Sequence, residues 1–458
     1  MTLSTNPLER QAAILQEGAR RGASYLTTLS DRPVRASTDG LGAFDFALPK
    51  RGISDLDVLD LIDRVGAPGT VASAAGRYFG YVIGGSLPAA SGTRAMLTAW
   101  DQVADAPTGP SVVAMEEVAI RWMVDLLKLP PKTEGVFTTG ATMANVALLA
   151  TARDELLDRQ GHRRGKSLIG APPIRVVASA EIHATVLKSL RIVGLGSDDI
   201  EFVPVDDQGR LQPEAMPQID DRTLVLAQVG NVCTGASDPL AQIATKCEAA
   251  GAWLHVDGAF GLWARVSQKI GAALEGLERA DSWVVDAHKT LNAPYDSGVA
   301  LCRHHVAMRA SMAIGASYLP PNEPSPADLA PEFSRAARGA ETYAALLSLG
   351  QDGVITLVDR LHLLAVRLAE GVQEMGFTVP HDVHFNQVFC TLSQDPMRCE
   401  KIVKEVQDSG EAWFGSASWQ GQEGFRMSIS NWSTSEDDID RVLSELAKVK
   451  ARSDYWLL

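Results

Sequence analysis

Between residues 136 and 302 the chain repeats one pattern: short apolar runs rich in β-branched residues, separated by stretches of helical periodicity. The runs at 174–179, 223–229, 252–257 and 282–286 are nearly continuous in apolar residues rather than alternating. A strand of that kind is buried on both faces. Between them, 143–160, 184–193 and 239–250 read as helices. Strands of this type joined by helices predict an α/β fold with a mostly parallel central sheet covered by helices on both sides. Residues 1–90 read as an N-terminal helical segment, 91–340 as the large α/β domain and 341–458 as a smaller C-terminal α+β domain. In the last, 388–392 and 425–430 read as strands and 439–449 as a helix. Residues 356–375 form an amphipathic helix with Leu357, Leu361, Leu364, Leu368 and Val372 inward, and a helix before it ends at Leu349. The proline-rich stretch 312–331 reads as a long surface loop, a form that lids often take.

This arrangement says where chemistry belongs. Open α/β sheets bind ligands outside the carboxyl ends of their strands. Asp257 closes one apolar run, and His288-Lys289 follow another. A lysine there most often just emerges into a loop. The alternative is an amine that forms a Schiff base, its pKa lowered by its surroundings. Thr139-Gly140-Ala141-Thr142 opens a helix with small and hydroxylated residues, which suits either a plain N-cap or a phosphate site. It is neither a dinucleotide fingerprint nor a P-loop. His183, at a strand-to-helix junction, is either a cap or a ring that stacks on a ligand. One cofactor accounts for all four features. Pyridoxal 5'-phosphate has an aldehyde that needs a lysine and a phosphate that needs amides and hydroxyls. Its ring nitrogen needs a carboxylate to stay protonated.

With these residues in place, the chain from about Tyr78 to Trp432 resembles the group II pyridoxal-phosphate-dependent amino-acid decarboxylases, which have the type I fold of such enzymes. The resemblance is densest at His255-Val256-Asp257-Gly258-Ala259-Phe260-Gly261 and Asp286-Ala287-His288-Lys289. It implies that Lys289 anchors the cofactor, Asp257 pairs with the ring nitrogen, Ala259 packs against the ring and His183 stacks on it. Ala141, Thr142 and His288 match the phosphate contacts. Arg335 matches the arginine that holds the substrate carboxylate, and Tyr318 a mobile loop tyrosine that protonates the α-carbon. The implied reaction is decarboxylation of an L-amino acid to CO2 and an amine. A carbon–carbon lyase, an aminotransferase and decarboxylation coupled to oxidative deamination are alternatives on the same cofactor. Thr290, the 230–235 segment and Ala336 depart from the family pattern near the site. Tyr78, Phe79, Tyr81 and Trp100 either line a substrate pocket or pack, with Tyr81 carried as the substrate-binding candidate. The family also implies a homodimer.

The formal net charge of −14 argues against a nucleic-acid partner. The five cysteines are scattered with no Cys-x-x-Cys pair, so neither a disulfide framework nor a zinc or other metal site is expected. Residues 1–22 lack the apolar core of a signal peptide, and no run is long enough to span a membrane. The expectation is a soluble, cytoplasmic enzyme.

Overall fold

The computed structural model describes residues 6–314, 325–392 and 396–454. Four helices precede the first strand: α1 (Pro7–Thr27), α2 (Asp55–Leu61), α3 (Pro88–Trp100) and α4 (Pro110–Leu126). The central sheet holds β1 (Glu134–Thr138), β2 (Arg175–Ser179), β3 (Glu201–Val203), β4 (Thr223–Gln228), β5 (Trp253–Asp257), β6 (Ser282–Asp286) and β7 (Gly298–Cys302). Their order is β1-β7-β6-β5-β4-β2-β3. β7 runs antiparallel to both its neighbours, and the other pairings are parallel. The fold is thus the type I fold of PLP enzymes, with a mostly parallel sheet.

Every residue of β4, β5, β6 and β7 is buried, which is why these strands read as continuous apolar runs. Leu254, Val256, Trp283 and Val285 enter the core on one face. Trp253 and Val284 enter the opposite core, together with Ala144 and Leu148 of α5 (Ala141–Arg159). Strand alternation divides them, so Trp253, His255 and Asp257 share the α5 side of β5. Ser179, Gln228, Asp257 and Asp286 are the last residues of parallel strands and therefore line up along one edge.

The chain continues through α6 (Ala184–Ile192), α7 (Leu240–Ala250), α8 (His305–Met312) and α9 (Gly339–Glu374). α9 joins the two helices expected here, which meet at a kink directly after Leu349. It is broken only at Gly350, whose φ of 62° lies outside helical space. Arg335 and Arg338 precede it rather than lying on it. Its second half packs Leu357, Leu361, Leu364, Leu368 and Val372 into a separate core with β8 (Gln387–Thr391), α10 (Pro396–Ser409), β10 (Gln422–Ser428) and α11 (Glu436–Asp454). There β9 (Gly415–Trp419) completes an antiparallel sheet of order β8-β10-β9. Phe79 from the N-terminal part of the chain is buried in this same core. β3 and β9 are hard to read in the sequence because they are short and carry little apolar alternation, whereas α10 places Cys399, Ile402, Val403 and Val406 on one buried face at helical spacing.

Among the described residues no helix is long and apolar enough to cross a membrane. Among them, too, no cluster of His, Cys, Asp and Glu is arranged to hold a metal.

Candidate active site

A cavity of about 490 Å³ opens where the parallel strands end. Lys289, Asp257, Ala259, His183 and His288 line it, as do Ala141 and Thr142 at the start of α5. Tyr81 stands at its wall, 65% exposed, in a left-handed backbone conformation. The other aromatics separate from it. Phe79 is core, Tyr78 is buried and stacked 5.1 Å from Trp413, and Trp100 is not among the lining residues. Tyr318 lies outside the described residues.

Lys289 Nζ is 3.1 Å from Asp286 Oδ2, and His288 Nε2 is 3.6 Å from the same oxygen. Burial lowers the His288 pKa, with Asp286 opposing it. The other oxygen, Asp286 Oδ1, is buried without a hydrogen-bond partner. A Cβ at residue 298 would sit 2.8 Å from it, so this close approach demands Gly298. The Tyr295 ring lies 4.2 Å from His288, over the imidazole.

α5 begins without any side-chain cap, and Gly140 ahead of it takes φ 152°, ψ 178°. The first-turn N–H groups are left for a ligand at the positive end of a 19-residue helix. A Cβ at Gly140 would come within 3.3 Å of His288 Cε1, so the turn and the histidine are in close register.

Asp257 Oδ1 accepts from the Ala259 N–H at 3.1 Å, and Oδ2 accepts from Asn145 Nδ2 at 3.3 Å. His183 caps α6: its Nδ1 accepts from the Thr185 N–H at 3.3 Å and meets Thr185 Oγ1 at 2.7 Å. The cap leaves Nε2 as the protonated nitrogen of the neutral ring. Loss of water lowers the His183 pKa, and Asp257 opposes that.

His255, behind Asp257, is fully buried, and desolvation lowers its pKa from 6.5 to about 4. The folded pKa is the lower one, so between those values the unfolded chain binds the extra proton. Stability from this group is complete above pH 6.5 and is lost as pH falls toward 4. The His255→Leu protein should show a shallower acid limb, by up to about 1.4 kcal/mol per pH unit, in urea unfolding across that window. Equal slopes for the two proteins would disprove the assignment.

Arg335 is not at the cavity. It forms a two-pronged ion pair with Glu116 of α4, at 2.8 and 2.7 Å, and both side chains are almost wholly buried. Glu116 also accepts from the Gly339 N–H at 3.0 Å, at the start of α9. The pair ties two helices together, so this geometry replaces the expectation that Arg335 meets a substrate. Arg335→Met should strand Glu116 and cost about 3–5 kcal/mol of stability by denaturant titration. A loss below about 1 kcal/mol would show the pair to be dispensable.

The arginine that does reach the cavity is Arg426, in the middle of β10. Its Nη1 donates to the Val232 carbonyl at 2.9 Å. Among the described residues no carboxylate pairs with it, and desolvation pushes its pKa down. A charged residue inside the apolar run 425–430 was the sequence signal for it. Asp286 and Tyr295 were also unassigned from sequence, although both flank Lys289. The departures Thr290 and Asn231 turn away from the cavity. Thr290 Oγ1 donates to the Phe260 carbonyl at 2.9 Å, and Asn231 Nδ2 donates to Glu181 at 2.6 Å.

Comparison with known proteins shows the family. Residues 43–392 match the pyridoxal-dependent decarboxylase conserved domain. The chain is 33% identical over 223 residues to an aromatic-L-amino-acid decarboxylase of Bacillus atrophaeus, spanning 47% of this chain and 43% of the relative. It is 26% identical over 373 residues to an acidic amino acid decarboxylase of Bos taurus, spanning 74% of this chain and 70% of the relative. The structure of Oryza sativa TDC with PLP and tryptamine superposes over 100% of both chains with a TM-score of 0.89, at 19% identity. The cavity's lysine, its uncapped helix start and its buried carboxylate fit pyridoxal phosphate. The chain belongs to the pyridoxal-dependent decarboxylase family, PLP-dependent enzymes of amino-acid decarboxylation.

Proposed function

We propose that the chain removes the α-carboxylate of an L-amino acid whose side chain is uncharged and apolar or aromatic, and that Arg426 holds that carboxylate. The observation behind this is Arg426 itself. A half-buried guanidinium at the wall of a cavity, with no carboxylate partner among the described residues, is poised for an anionic ligand. When bound, PLP supplies an electron sink for the pair left by the breaking carbon–carbon bond. In this reading Lys289 would be the covalent anchor, and Asp257 would accept a hydrogen bond from the protonated ring nitrogen. His183 covers the ring, and Ala259 packs beneath it. The N–H groups at Ala141 and Thr142, with His288, hold the phosphate. Tyr318 and His183 are the candidates for returning a proton to the substrate carbon.

The substrate class follows from what is left. Once the cofactor engages Lys289, His183 and His288, Arg426 is the remaining cation among the described lining residues. It can serve one carboxylate. The apolar and aromatic part of the wall is Tyr81, Val82, Ile83, Val232, Phe260 and Tyr295, and Thr139, Thr185 and Gln228 add only uncharged polar groups. Relatives with aromatic and acidic substrates in their names match this chain, so kinship alone does not choose between them.

The test is a screen of the proteinogenic amino acids, measuring CO2, amine, aldehyde and keto acid together. Amine and CO2 are expected, with kcat/KM for the best apolar or aromatic substrate at least about 100-fold above that for glutamate, the scale of an unpaired charge. Equal values would sink the substrate class, and aldehyde or keto acid would reassign the reaction.

A cytoplasmic homodimer completes the reading. Phe44, Phe46 and Leu48 are exposed, Leu48 at 93%, and α1 has no buried residue, as suits a segment that wraps onto a second copy. All five cysteines are free, as suits a reducing compartment. Light scattering should give twice the chain mass, and a fully active monomer would refute the dimer.

A further inference from the structure

Asp257 is backed by a file of buried polar groups between α5 and the sheet. Trp253 Nε1 is 3.0 Å from Ser282 Oγ. Ser282 Oγ is 2.8 Å from His255 Nδ1, and His255 Nε2 is 2.8 Å from Asn145 Oδ1. Asn145 Nδ2 is 3.3 Å from Asp257 Oδ2. Asn145, His255 and Ser282 are wholly inaccessible, and Trp253 is nearly so. No solvent can therefore supply a missing partner, and the protons must be shared out within the file.

Their direction is determined at both ends. An indole N–H only donates, so Ser282 Oγ accepts from Trp253. An ionised carboxylate only accepts, so Asn145 turns its amide nitrogen to Asp257. Its carbonyl then faces His255, which must donate from Nε2 and accept at Nδ1. The Ser282 hydroxyl supplies that last proton. The opposite polarity would aim the Asn145 carbonyl at Asp257 and require the carboxylate to be protonated. The depressed His255 pKa agrees with a neutral ring able to accept and donate at once.

We propose that Asn145, His255, Ser282 and Trp253 are positioning residues, a one-way hydrogen-bond chain that keeps Asp257 ionised and aimed at the cofactor's ring nitrogen. This rests on the reading of Asp257 as the partner of that nitrogen. None of the four lines the cavity, so they act only through Asp257. With the Ala259 N–H on the other oxygen, each carboxylate oxygen has one fixed donor and the plane of the group is set.

The experiment uses holoenzyme reconstituted with PLP labelled with ¹⁵N in the ring. The ring-nitrogen chemical shift, the PLP dissociation constant and the melting temperature are read for each protein. Wild type should show the protonated position. Asn145→Leu should move the nitrogen toward the unprotonated position and weaken PLP binding about tenfold, the scale of one hydrogen bond to a charged group. Ser282→Ala, which removes one hydroxyl, should move both in the same direction by less, and it decides the matter if Asn145→Leu does not fold. A lowered melting temperature with the shift and PLP affinity unchanged would make the file mere core packing and overturn the proposal. Asp257→Asn separates the two levels: a ring nitrogen still protonated in that variant overturns the reading of Asp257 itself.

Discussion

Replacing Lys289 with alanine should lower kcat by on the order of 10⁴-fold or more, the scale on which removing a covalent catalytic group costs an enzyme. Lys289 has a position no neighbour can take over. It follows directly from the end of β6 and is held 3.1 Å from a carboxylate whose other oxygen has no partner. Borohydride treatment of wild-type holoenzyme should label this lysine. A Lys289→Ala protein that still carries a reducible pyridoxyl-lysine elsewhere would overturn the assignment. Asp286→Asn is the informative companion, because it removes the charge beside Nζ and leaves the anchor in place. It should retain the covalent adduct, read by the same borohydride labelling.

The second large effect belongs to Arg426. Arg426→Met should reduce kcat/KM by about 10²- to 10³-fold, since truncating one member of a hydrogen-bonded charge pair in an enclosed site costs about 2–5 kcal/mol. The visible absorbance of bound cofactor should persist, because Arg426 serves the substrate and not PLP. Arg426→Lys should recover only part of the loss. An ammonium restores the charge but not the two parallel N–H donors of the guanidinium. A kcat/KM for Arg426→Met within about threefold of wild type would mean that another group holds the carboxylate. The contrast with Arg335→Met sharpens the test. That change should lower stability, through the stranded Glu116, while the kinetic constants of the folded enzyme change far less.

Much of the site is legible in the amino-acid sequence, and for a local reason. A strand buried on both faces must be written in apolar residues, so its last polar residue marks the sheet edge. Asp257 and Asp286 are the polar ends of such runs, and Lys289 comes three residues after the second. The start of α5 is legible in the same way, because small residues after a strand leave a helix N-terminus open. Reading is harder where amphipathic or polar segments form structure through distant partners. Among the described residues β9 pairs with β10 alone, and its short polar run gives no local sign of that partner. His183 keeps two readings in the sequence, cap and ring partner. In the structure one side chain caps α6 and lines the cavity.

The choice between arginines shows where local pattern stops. In the sequence Arg335 and Arg426 are alike, each one cation among mostly apolar or small neighbours. Chain order and residue type were enough to place the lysine, the carboxylates and the helix start along one edge, because strand length and turn composition are encoded within a few residues. Whether a guanidinium is spent or free depends on what lies opposite it. Glu116 is 219 positions from Arg335 in the chain, and Val232 is 194 from Arg426. Coulombic and hydrogen-bond energies act over a few ångströms of space, whatever the separation along the chain. Only the packing of α4 against α9 neutralised Arg335, and only the docking of β10 against the 230–235 turn left Arg426 at the cavity without an anion.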